Sequence, residues 1–225
     1  MDDLLYESNP EAAFKRLLRS PKLPYLVEQF QVVLEDEHAH RERFYEEMTE
    51  EQKIEFINGE VIVHSPVKMI HAIVGQRLLM FMNFYVDRNQ LGWVGYEKIL
   101  ISLSRNDYEP DICYFSQAKS RAFFPDQMKF PAPDFVVEIL SPSTEAIDRG
   151  VKFEDYAAHG VGEYWIIDPD RETIEQYALQ NDVYDLRVKV KSGVIQSLMI
   201  DGFEMAVRAI FDEQEYLKAL QKIVG

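Results

Sequence analysis

Pro110-Asp111-Ile112-Cys113-Tyr114-Phe115 and Pro133-Asp134-Phe135-Val136-Val137-Glu138-Ile139-Leu140 are the two stretches whose reading decides the fold. Each is an apolar run of strand length opened by a Pro-Asp pair. Burying a carboxylate is costly unless it is paired or coordinated. Glu138, in mid-run among five apolar residues, therefore demands a partner more strongly than Asp111, which stands at a strand end where water or a lysine could meet it. Asp134 and Glu138 share one face of a strand but lie four residues apart, roughly 13 Å, too far to hold one ion. If the two runs are sheet neighbours, Asp111 instead approaches Glu138 across about 5 Å. Two carboxylates so placed make a hard-oxygen site suited to Mg2+ or Mn2+.

The flanks set these strands in an α/β frame. Ile70, Val74, Leu78, Phe81 and Tyr85 recur at helical spacing and predict a helix of about 18 residues that stops before Gly92. Strands over Trp93–Leu103, Asp111–Phe115 and Phe135–Leu140 follow, then a helix over Thr144–His159 and a strand over Tyr164–Ile167. Helix, three strands, helix, strand predict an α/β sandwich with a mixed sheet. Hairpins are added on both sides: Glu55–Ile57 with Glu60–Val63 across Asn58-Gly59, a pair suited to a type I′ turn, and Thr173–Leu179 with Tyr184–Val190. Asp212 and Glu215 cap a terminal helix with the stripe Leu217, Leu220, Ile223. Residues 1–53 form an N-terminal helical extension to the domain at 54–225. It comprises Pro10–Arg19, a helix from Pro24 with a Leu26, Phe30, Val33, Leu34 stripe, a charged run read as a solvated face, and a last short turn capped by Thr49 and Gln52.

Composition bounds the partners. In 225 residues, 24 Lys and Arg stand against 39 Asp and Glu, a net charge of −15, and 47% of residues are hydrophobic. Such a chain can bury a large core, and its acidity disfavours a general nucleic-acid coat or an anionic-membrane binder. The opening MDDLLYESNP lacks the basic region of a secretion signal, and no stretch reads as a membrane span, so a cytoplasmic location is expected. The single Cys113 excludes an intrachain disulfide and a Cys-rich zinc site.

A nuclease motif of the form PD…(D/E)xK would place its lysine two residues after the glutamate, where this chain has Leu140. Lys152, on the following helix, admits two readings: an exposed pair with Asp148 at i,i+4, or an ammonium returned over the metal site. The segments EFINGEVIVHSP, YEPDICYF, PAPDFVVEILSPST and DRGVKFEDYAAHGVGEYWIIDP strongly resemble the bacterial Uma-two family of endonucleases, whose fold is similar to that of restriction endonucleases. The resemblance spans about Ile54 to Leu186. It implies a restriction-endonuclease-like core, a metal held by Asp111, Glu138 and the Ile139 carbonyl, Lys152 in place of the strand lysine, and DNA as substrate. His71 and Glu60 match further recurrent polar positions. His71 reads equally well as a residue tying down the loop before its helix, and solvent exposure is the simpler reading for Glu60 and for Glu55. Endonuclease-like folds often pair so that two strands can be cut, and a homodimer through the terminal stripe and the N-terminal helix is expected. Two rivals stay open: a binding or structural module that keeps the fold without turnover, and a metal-dependent enzyme acting on a smaller substrate.

Overall fold

The computed structural model describes residues 10–49 and 52–224. The turn expected at Thr49–Gln52 contains Glu50 and Glu51, which lie outside the described residues. The chain divides into two compact units, Met1–Met48 with Asn58–Glu60, and Thr49–Ile57 with Val61–Gly225. The first contains α1 (Pro10–Leu18) and α2 (Leu23–Glu47), with Pro24 in the first turn of α2, where a missing N–H costs nothing.

From Ile54 the elements run β1 (Ile54–Ile57), β2 (Glu60–Val63), α3 (Met69–Asn89), β3 (Gly92–Tyr96), β4 (Leu100–Ser102), β5 (Asp107–Tyr108), β6 (Ile112–Ser116), α4 (Gln117–Ser120), β7 (Lys129–Phe130) and β8 (Phe135–Ile139). They continue as α5 (Glu145–Asp148), α6 (Val151–Ala158), β9 (Glu163–Asp168), β10 (Thr173–Gln180), β11 (Val183–Val190), β12 (Val194–Gln196), β13 (Glu204–Ala206), α7 (Arg208–Phe211) and α8 (Glu213–Val224). A six-stranded sheet in the order β11-β10-β9-β8-β6-β3 carries the domain; β8 and β9 are parallel and its other pairs antiparallel. A five-stranded sheet, β2-β1-β5-β4-β7, and a small β12-β13 pair complete it. This is the mixed α/β, restriction-endonuclease-like architecture expected.

The alternation along β6 and β8 sorts the central sheet into two packed faces. Ile112, Tyr114, Phe135, Val137 and Ile139 face α3, meeting Val74, Leu78, Phe81 and Met82. Cys113, Phe115, Val136 and Leu140 face the opposite side, with Tyr156 and Ala157 of α6. Asp111 and Glu138 have the parity of this second set, and the register Ile112↔Val137 extends to set them opposite one another. By length and composition α3 could cross a membrane, although no stretch reads as a span in the sequence; here it is a core helix with Val74, Leu78, Phe81, Met82 and Val86 buried.

Three expected elements differ. The strand over Trp93–Leu103 is two strands, β3 and β4, in different sheets, because Glu97 and Lys98 both take positive φ and turn the chain out of one sheet into the other. The helix over Thr144–His159 breaks at Gly150, where a Cβ would stand 2.7 Å from the Ala146 carbonyl oxygen, so α6 starts afresh and is aimed separately. On α8 the side packed on the core is Tyr216, Ala219 and Leu220, whereas Leu217 is exposed and the side chain of Ile223 lies outside the described residues. Its cap forms as the sequence dictates, with Glu215 N–H donating to Asp212 Oδ1 at 3.0 Å. The Asn58-Gly59 turn has φ 51° and 87°, as a type I′ hairpin requires.

Glu163, fully buried at the start of β9, fastens the segment after β12. Its carboxylate accepts from Trp165 Nε1, Gln176 Nε2 and Ser197 Oγ at 2.6 Å each, and from the Leu198 and Met199 N–H groups at 2.8 and 3.0 Å. Glu163→Ala leaves these donors without their acceptor, the buried Trp165 and Gln176 among them, and is expected to cost about 3 kcal/mol, read as a lower urea midpoint at unchanged slope.

Candidate active site

Strands β1 and β8, the start of β6 and the helices α3, α5 and α6 converge on a group of buried charges. Glu138 sits in β8 at 2% exposure, and Asp111 immediately precedes β6 beside it. Backbone joins them both ways: Ile139 N–H donates to Asp111 Oδ2 at 2.8 Å, and Asp111 N–H donates to Glu138 Oε2 at 3.4 Å. Asp111 Oδ1 also takes the Lys53 ammonium at 2.9 Å, and its Oδ2 lies 3.3 Å from His71 Nε2 on the first turn of α3.

Lys152, at 2% exposure on α6, is the hub. Its Nζ lies 2.8 Å from Glu55 Oε1, 3.0 Å from Glu138 Oε1 and 3.3 Å from Asp148 Oδ1. The pairing with Asp148 is thus real but buried, one contact among three, and the surface reading of it fails. Because α6 restarts at Gly150, its first turn delivers this lysine to the sheet face that bears Glu138.

Glu55 belongs to the same group, against the reading of it as exposed. It is fully buried in β1, whose partner β5 leaves it no route to water; Oε1 also accepts from Glu109 N–H at 2.8 Å, and Oε2 lies 2.9 Å from His64 Nε2. Glu60 is exposed at the outset of β2, an edge strand, and is not among the residues lining the pocket. Asp134 is engaged elsewhere, by Ser116 N–H at 2.7 Å and Lys119 at 2.9 Å. Asp111, Glu138, Lys152 and His71 are therefore brought together, with Ile139 at the same pocket, and Glu60 is not. Sequence reasoning missed Lys53, Glu55 and Asp148. For Glu55 the signal was present, since an acid between Ile54 and Phe56-Ile57 poses the same question as Glu138.

The electrostatics divide the carboxylates into two classes. Burial pushes Glu55 up, but Lys152 and His64 more than reverse this and hold it at about 2. Burial acts likewise on Asp111, where Lys53 and the hydrogen bond with His71 bring it well below the usual carboxylate range. These two balance the two ammoniums, which their carboxylate neighbours keep raised despite burial. Glu138 and Asp148 are the surplus: burial raises both, Lys152 offsets only part of it, and Glu138 lies well above its ordinary value. Asp148 Oδ1 is buried and receives no hydrogen bond from the described residues.

This arrangement has room for a divalent charge. The donors available, Asp111 and Glu138 oxygens with the Ile139 carbonyl, are hard, and a cation beside them would favour the ionised form of Glu138, which burial opposes. Among the described residues no three His, Cys, Asp or Glu groups form a cage, so such an ion would complete its shell with water, as Mg2+ characteristically does. The pocket is small, about 140 Å3, with Ser65, Pro66, Val67 and Lys68 on one rim and Ser141–Thr144 on the other. A larger groove of about 860 Å3 runs between the end of α3, β13 and α8, but Asp111, Glu138, Asp148 and Lys152 line the smaller pocket.

Comparison with known proteins bears on this geometry. The model of the Uma2 family, described as "Putative restriction endonuclease", matches residues 41–208. An uncharacterized protein of Synechocystis sp. is 27% identical over 170 residues, 73% of this chain and 86% of that one. The crystal structure of a "putative nuclease belonging to DUF820" from Anabaena variabilis superposes with a TM-score of 0.63 at 18% identity, covering 75% of this chain and 94% of that one, and shows a shared fold.

Proposed function

Because the chain belongs to the Uma2 family of restriction-endonuclease-like proteins, we propose that it is a metal-dependent endonuclease that hydrolyses phosphodiester bonds of DNA, acting in the cytoplasm as a homodimer. The observation that carries this reading is the Asp111–Glu138 pair on adjacent strands with a buried lysine 3.0 Å from Glu138. Mg2+ or Mn2+, when bound by Asp111, Glu138 and the Ile139 carbonyl, would polarise the scissile phosphate and acidify a water.

The chain's own groups do the rest. Lys152 keeps its proton throughout the neutral range, because Glu138, Glu55 and Asp148 surround it, and so presents a fixed positive charge beside Glu138 that would position the attacking water and offset negative charge in the transition state. Glu55 and Asp148 hold that ammonium in place without being consumed. Lys53 and His71 orient the Asp111 carboxylate, leaving Glu138, which burial pushes well above its ordinary value, as the group whose ionisation an incoming cation would favour most. Near the mouth, Lys68 and Lys53 supply local positive charge that the surface as a whole, at net −15, does not.

The test is cleavage of a plasmid and of a single-stranded oligonucleotide with Mg2+ or Mn2+, for wild type and Glu138→Ala in parallel. Nicking by wild type alone supports the reading. Metal binding without cleavage of either DNA would leave an enzyme on a smaller substrate, and no metal binding would leave a module without turnover.

A further inference from the structure

The first half of α2 has more apolar surface than an isolated helix can expose. Tyr25, Val27, Phe30, Val32, Val33 and Leu34 are each between 44% and 58% exposed. At 100° per residue they spread over most of the circumference, leaving polar positions at Glu28, Gln31 and Glu35 on one side and at Gln29, in line with Lys22 and Asp36, on another, whereas a helix that packs along one side shows a single apolar stripe. The second half is different: from Glu35 it carries Asp36, Glu37, Glu42, Glu46 and Glu47 against Arg41 and Arg43. Most of α2 precedes the family match, which begins at residue 41, so this apolar half-helix is an addition to the shared domain.

We infer that this half-helix is the interface between two copies of the chain, packed antiparallel about a two-fold axis near Phe30. The inference rests on the dimeric reading above and not on nuclease action. Charge selects the occupant and the direction. A parallel pair would lay one acidic half-helix on the other along about 18 Å. A fully overlapped antiparallel pair would put the apolar half on the acidic one. Antiparallel overlap of the first halves alone sets Leu26 opposite the partner's Val33, sends the acidic halves apart, and brings exposed Lys22 against the partner's Asp36, both on the border of the seam that carries Leu26, Phe30 and Val33. Within one chain Lys22 and Asp36 are fourteen residues apart, about 21 Å along the helix, and cannot satisfy each other.

Light scattering on the full-length protein at about 10 μM decides the matter. Wild type is expected to return twice the chain mass, and Phe30→Asp the single mass with an unchanged far-ultraviolet circular dichroism spectrum, because Phe30 is exposed in the chain itself. Lys22→Glu and Asp36→Lys are each expected to weaken association about 10-fold, and the two together to restore it, since the double variant re-forms both cross-pairs with reversed sign. A dimer that survives Phe30→Asp overturns this surface while leaving dimerisation intact. A monomeric wild type overturns both, including the case in which it instead sediments with phosphatidylglycerol vesicles, which would make the apolar half-helix a lipid-binding element.

Discussion

Lys152→Met is expected to abolish metal-dependent cleavage, by at least about 100-fold, and to destabilise the fold by about 3 kcal/mol at pH 7. The substitution keeps the stem's volume but removes the one cation shared by Glu55, Glu138 and Asp148, all buried. A surface pair with Asp148 alone would have cost at most about 0.5 kcal/mol, so the size of the loss separates the two readings. The pH dependence separates them further. Without the ammonium, carboxyls already held above their ordinary value by burial rise further, and the folded state then binds protons more tightly than the unfolded state. Stability conferred by that protonation is present at low pH and lost as pH rises through the raised folded value. The deficit relative to wild type should therefore shrink between pH 7 and pH 5 in urea denaturation. A deficit below about 1 kcal/mol that does not change with pH, or cleavage at the wild-type rate, would sink the role assigned to Lys152.

How far such a site can be read from sequence depends on which physical signal each residue leaves. Asp111 and Glu138 were legible because an acid inside an apolar run conflicts with its surroundings, and because antiparallel neighbours share parity. The same conflict marked Glu55, yet its nearness to the Asn58-Gly59 turn favoured exposure; only the pairing of β1 with β5, a contact between residues about fifty apart, buries it. Lys53 left no signal, since a lysine before a strand is ordinary until the fold sets it on Asp111. Lys152 was ambiguous for a different reason. At i,i+4 from Asp148 it satisfies a local rule, and what decides its environment is the break at Gly150, visible in sequence as a glycine but not as a direction. The helices and the central strands followed from periodicity, whereas the split of Trp93–Leu103 rests on two positive-φ residues, Glu97 and Lys98, that no propensity marks.

Glu138→Gln should have the opposite signature to Lys152→Met, with activity lost and stability kept. Glu138 is the carboxyl least needed for balance in the metal-free protein, since Glu55 and Asp111 already match Lys152 and Lys53, and its raised value means that a neutral amide of the same shape replaces a group that is itself reluctant to ionise. Unfolding in the presence of a chelator should therefore shift by less than about 1 kcal/mol. Adding Mn2+ should then distinguish the two proteins: at a hundredfold excess over Kd, a ligand that binds only the folded state adds about 2.7 kcal/mol, and the variant should gain almost none of it. Cleavage should fall at least about 1,000-fold, because one of two anchoring carboxylates is gone. Asp111→Asn provides the control with a different outcome. Its carboxylate holds Lys53 at 2.9 Å and accepts the Ile139 N–H, so the amide removes the countercharge of Lys53 and can no longer accept with both oxygens, and is expected to cost about 2 kcal/mol even with the chelator present. Equal stabilisation of wild type and Glu138→Gln by Mn2+ in calorimetry would place the cation elsewhere and end the assignment of this pocket as the metal centre.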